Sequence, residues 1–122
     1  MESTVKFPWF REELIRNLKD LSDKVYQQRV WVDKIYPHDN FYDDFTQQVN
    51  FLGDAGFFYN PKDTVGDIVK NEKELNAVME VVYAIDKIFN QYGKELSDKE
   101  YISLPEWQEV IEKAKIAKEI VK

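Results

Sequence analysis

The segment NEKELNAVMEVVYAIDKIFNQYG, Asn71 to Gly93, decides the fold. It is the longest uninterrupted helical pattern in the chain. Asn71, with Glu74 three positions on, reads as an N-cap, and Gly93 stands where a left-handed C-terminal residue is wanted. Between them Leu75, Val78, Met79, Val82, Ile85, Phe89 and Tyr92 recur every three or four residues, and Val81 and Ile88 widen the stripe. So broad an apolar face needs more than one partner helix. The reading is a central helix over 72–92, with Asp86 at the narrow polar edge of its apolar run.

Working outward, Pro8 opens a first helix whose stripe runs Phe10, Leu14, Leu18, Leu21 and Val25. Ser22 and Asp23 can cap a second helix, from Asp23 to about Val32. Val30 to Tyr36 is also rich in good strand residues, but a helix through Trp31 is preferred. Tyr36-Pro37-His38-Asp39-Asn40 is turn chemistry, with Asn40 and Asp43 as caps for a third helix carrying Phe41, Phe45, Val49 and Leu52 and stopped by Gly53. Asn60-Pro61 opens a short helix to about Val69. Beyond Gly93, Ser97 with Glu100 and Ser103 with Glu106 read as capping boxes. They set a single turn around Tyr101 and a last helix from near Leu104 carrying Trp107, Val110, Ile111, Ala114, Ala117 and Val121. The architecture is an all-α single-domain helical bundle of about five or six helices, the central one packed by the first, third and last.

A length of 122 residues suits one domain with a sizeable core. There is no cysteine, which excludes disulfides, thiolate catalysis and cysteine-held metal. Met1 to Phe10 has no basic flank or long apolar run, and no stretch reaches membrane-spanning length, so a soluble cytoplasmic protein is expected. The net charge of −6 is concentrated. From Asp33 to Asp67 seven aspartates face only Lys34 and Lys62, a local net of −5. Such a surface repels a phosphate backbone and attracts a basic protein, so a protein partner is expected rather than nucleic acid or membrane.

The same region is unusually aromatic, with Tyr26, Trp31, Tyr36, Phe41, Tyr42, Phe57, Phe58 and Tyr59. Most must be core, but three helical stripes and a loop do not bury them all. Aromatic groups rimmed by acids suit protein recognition, and Tyr42, Asp43, Asp44, Asp54 and Tyr59 are the candidate surface. Self-association as a homodimer through exposed aromatics is a further possibility. No nucleophile and base are paired in the pattern and no cofactor is expected. The rival to an interaction protein is a small metal-dependent enzyme or ligand binder in which His38, Asp39 and Asp43 hold the ion. Turn and cap roles explain Asp39 and Asp43 more simply.

The run Tyr26-Gln27-Gln28-Arg29-Val30-Trp31-Val32, then Tyr36-Pro37, Phe41, Tyr42, Asp43 and Asp44, resembles a family of small uncharacterised bacterial proteins, a domain of unknown function. Asp54, Asn60-Pro61, Gly66, Tyr101, Pro105 and Trp107 extend the likeness over most of the chain. It differs at Gly53 and Ala55, where a more acidic stretch around Asp54 is the family pattern. The resemblance implies no activity. In size, charge and helical pattern the chain is also similar to acidic immunity proteins that neutralise basic toxins, an analogy without a shared motif.

Overall fold

Six α-helices run through the residues that the computed structural model describes, 5–122: α1 (Pro8–Leu21), α2 (Lys24–Tyr26), α3 (Phe45–Asp54), α4 (Glu72–Tyr92), α5 (Asp98–Ile102) and α6 (Trp107–Ile120). Met1–Thr4, which begin the stretch read for a leader, lie outside them. The described residues contain no strand, only an isolated bridge between Val65 and Val69, and the chain is a single all-α domain. No helix among them is long and apolar enough to cross a membrane.

α4 is closed at both ends by the residues that read as its caps. The Asn71 side chain accepts the Glu74 N–H at 2.9 Å, and Gly93 takes a φ of +83°, which a residue with a Cβ rarely adopts. Its covering matches the expectation for the last helix and differs for the first and third, neither of which packs broadly on it. α6 packs along α4 most extensively, and α1 packs against α6 rather than broadly on α4. Ala114 and Ala117, both fully buried, let α6 come close to its neighbours. Leu14, Leu18 and Leu21 from α1, Val78, Ile85 and Ile88 from α4, and Val110 from α6 fill this core. A second, aromatic centre joins the later elements: Phe45 lies 4.9 Å from Trp107 and 5.8 Å from Trp31, ring centre to ring centre.

Local hydrogen bonding explains where the chain departs from the sequence reading. The break at Ser22 is present, and Asp23 caps α2 by accepting the Tyr26 N–H at 3.0 Å. That restart resets the helical phase, so Val25 is 73% exposed instead of continuing the α1 stripe. α2 then widens into a π-helical turn, Gln27–Val32, closed by the Asp33 N–H on the Gln28 carbonyl at 2.9 Å. Helix therefore does run through Trp31, and the wide turn buries Gln27, Val30 and Trp31 together.

Asn40 has φ +56° and caps nothing. α3 begins later, at Phe45, with Asp44 as its cap accepting the Gln47 N–H at 2.8 Å, so Phe41 lies outside the helix and Asp43 is free to turn inward. After Pro61 only a 3-10 turn forms, Pro61–Thr64. Gly66, at φ +90°, ends the helical path expected to reach Val69. The Ser97–Glu100 capping box forms, but the Ser103–Glu106 box does not. Ser103 Oγ donates to the Lys99 carbonyl and Glu106 accepts the Tyr92 hydroxyl at 2.9 Å, so α6 starts at Trp107 and not at Leu104.

Candidate functional site

Asn17 stands at a position where the α1 stripe calls for an apolar side chain, three residues after Leu14 and four before Leu21. It is buried there and donates Nδ2 to the Gln48 Oε1 at 2.7 Å and to the Gln48 carbonyl at 3.2 Å. Gln48 in turn occupies the inner face of α3, three residues after Phe45. Its Nε2 reaches Asp43 Oδ2 at 2.8 Å and Asp20 Oδ2 at 3.2 Å, so one amide bridges two carboxylates. Tyr26 Oη and Trp31 Nε1 also donate to Asp43 Oδ2, each at 2.8 Å. A single carboxylate oxygen thus ties α2, the π turn and α3 together. Below it Gln27 continues the network, donating to the Asp20 carbonyl and accepting the Trp107 indole N–H, both at 2.9 Å.

Above these groups opens a cleft of about 560 Å³, within the size range of small-ligand sites. α1 supplies Asn17 and Asp20, α3 supplies Gln48 and Phe51, and the preceding loop supplies Phe41 and Tyr42. Burial, and then the charge of Asp43, push the Asp20 carboxyl from 3.8 to about 6. Burial and the hydrogen bond to Asp43 push the Tyr26 hydroxyl up, which keeps it a donor. The cleft can therefore hold positive charge and hydrogen-bond donors over a floor of acceptor oxygens. Arg16 and Lys19 sit on its outer rim, Arg16 engaged by Glu13.

The five residues expected to form one surface do not. Tyr42 is 56% exposed at the mouth of this cleft, its hydroxyl on Asp44, which also caps α3. Asp43 is not a surface residue: it is 8% exposed, because three donors hold it inward. Asp54, at the end of α3, and Tyr59, in the turn after it, line a second cleft of about 510 Å³ with Phe58, Asp86, Phe89 and Lys94. Tyr59 is 77% exposed there, and Asp86 is exposed at the polar edge of α4 as read. The alternative metal set, His38, Asp39 and Asp43, is not gathered at one point. His38 is exposed and packs edge-on to the Phe41 ring, Asp43 is enclosed by its donors, and no group of three or more potential ligands converges among the described residues.

Asn17, Asp20 and Gln48 were not among the sequence candidates. The readable signal for Asn17 and Gln48 was a polar side chain in the apolar phase of an amphipathic helix. Asp20 had none, since its place beside Asp43 depends on how α1 meets the loop before α3.

No curated protein and no solved structure matches the chain. A family model does, over residues 5–122, and it takes in the residues that line the cleft, from Glu13 to Phe51. The chain accordingly belongs to the family described as Domain of unknown function (DUF7945).

Proposed function

We propose that this protein is a non-enzymatic recognition module that captures a basic protein at the cleft between α1 and α3. The observation that carries the reading is the pairing of Asp20 and Asp43 beneath an exposed aromatic rim at Tyr42, in a chain of net charge −6. Carboxylates on the floor reward a cationic group that has left water, and the tyrosine supplies contact area at small entropic cost. An immunity-type role, in which an acidic helical protein covers a basic toxin, is the most concrete form, supported by charge, size and helical architecture.

Affinity capture from lysate of the source cells, at low and high salt, tests the reading when wild type is run beside an Asp20→Asn/Tyr42→Ala variant. A stoichiometric basic protein that is lost at high salt and lost with the variant supports it. Capture of nothing, or equal capture by the variant, overturns it. Light scattering on the same samples reports whether a second copy of the chain is the partner instead.

A further inference from the structure

The cleft floor is short of donors in a way that the rest of the buried polar structure is not. Gln48 Nε2 is already shared between Asp20 and Asp43, and Asn17 Nδ2 is committed to Gln48. Asn17 is only 3% exposed, and its Oδ1 is a buried side-chain oxygen with no hydrogen-bond partner among the described residues. Buried polar atoms are nearly always paired, so an orphaned carbonyl oxygen on a side chain that lines the same cleft as two carboxylates marks a place for an incoming donor. All three donors on Asp43 converge on Oδ2, and the Asp20 carboxylate accepts its one side-chain bond also through Oδ2, which leaves the Oδ1 atoms of both uncommitted among the described residues.

A water molecule would satisfy one oxygen and leave two like charges uncompensated. A metal ion is served less well, because the Gln48 NH₂ donates into the space between the two carboxylates and no third acidic or histidine ligand converges with them among the described residues. A guanidinium meets every requirement. It is planar, carries five donors in a fixed fork and one delocalised charge, and stacks on aromatic faces such as the Tyr26, Phe41 and Phe51 rings of the cleft wall.

We infer that the cleft is an arginine-binding site, in which a guanidinium bridges Asp20 and Asp43 and donates to Asn17 Oδ1. The inference rests on the interaction reading above and names the side chain that the basic partner inserts. The groups around Asp20 are Glu13, Arg16 and Lys19 on its own helix, with Tyr26, Tyr42 and Asp43 across the cleft. A cation seated among them favours the ionised Asp20, so binding weakens as pH falls through about 6.

The test is an NMR titration of the ¹⁵N-labelled full chain with N-acetylarginine N-methylamide, and separately with its citrulline counterpart, which has nearly the same shape without the charge. Expected are saturable shifts of the Trp31 indole N–H and the Asn17 and Gln48 side-chain amides. The citrulline compound should bind at least about tenfold more weakly, and Asp20→Asn should lower arginine affinity by about tenfold or more. Asparagine at position 20 still accepts from Gln48, and the citrulline comparison needs no variant at all. Equal binding of the two compounds, no saturable shift, or shifts confined to the Asp54–Tyr59 cleft overturns the assignment. Arginine binding without any captured protein would support the guanidinium site and remove the protein partner. Cleft-dependent capture without arginine binding would overturn the guanidinium assignment alone.

Discussion

Two buried polar clusters brace this bundle, and they are balanced in opposite ways. At one end Arg11 clasps Glu74 with two hydrogen bonds, 2.8 and 3.0 Å, and spends its other donors on the Ile68 carbonyl at 3.2 Å and the Lys122 carbonyl at 2.7 Å. Glu74 also accepts the Lys70 N–H at 2.7 Å. Cation meets anion, and the N-terminal ends of α1 and α4, the Ile68 turn and the chain's last residue are locked together. The other cluster gathers Asp20, Asp43, Asn17 and Gln48 without a cation on the floor and with one orphaned oxygen. The first is closed, and closure is a structural role. The second is open to a ligand, because its charges are compensated only from outside.

The strongest way to break this contrast is Arg11→Met. It strands the Glu74 carboxylate in a buried site and should cost about 3–5 kcal/mol in urea unfolding, much of it returned by Glu74→Leu in the same chain. Asp43→Ala leaves Tyr26, Trp31 and Gln48 donors unpaired and should cost about 3 kcal/mol, where a surface role would leave stability unchanged. Asp44→Ala removes the α3 cap and an exposed acceptor for the Tyr42 hydroxyl, and should cost about 1 kcal/mol by the same measurement.

The pH dependence sharpens the comparison, since the two clusters pull in opposite directions. Burial works to raise the Glu74 carboxyl, but hydrogen bonds from Arg11 and Lys70 and the Arg11 charge outweigh it and hold it below 4.5. Its stabilisation is present above that value and is lost as pH falls through the lowered pKa. Asp20, raised to about 6, binds its proton more tightly in the folded chain, so its contribution is present below 3.8 and is lost as pH rises toward 6. Asp20→Asn should therefore raise the melting temperature by a few degrees at pH 7 and by nothing at pH 3. A melting temperature at pH 7 unchanged or lowered by this substitution would remove the claim that the cleft is under electrostatic strain. Tyr59→Ala, in the other cleft and largely in solvent, should stay within about 0.5 kcal/mol of wild type.

Much of the fold was legible because local rules act over a few residues. Asn71 and Gly93 bound α4, Ser97 and Glu100 form their box, and Asp23 restarts the chain after α1. Misreadings arose where two local solutions competed. Asn40, Asp43 and Asp44 are all good caps, and only Asp44 is used, because Trp31 and Tyr26 draw Asp43 inward. Ser103 and Glu106 have the spacing of a capping box, but Tyr92 recruits Glu106 across 14 residues. The candidate surface failed as a unit for a related reason. Tyr42 and Asp44 precede α3, Asp54 and Tyr59 lie at its end and in the turn after it, and helical phase alone does not reveal which side of α3 meets α1.

The sequence by itself determined the all-α class, the length and ends of the dominant helix, the absence of cysteine chemistry and the acidic, aromatic character of residues 33–67. Each follows from periodicity, capping or composition, which need only neighbours along the chain. Tertiary structure alone decided that α1 packs on α6 rather than broadly on α4, and that Asp20 and Asp43 share one amide. It also left Asn17 Oδ1 without a partner among the described residues. These depend on groups 5 to 31 residues apart meeting at about 3 Å, a coincidence set by how whole helices pack.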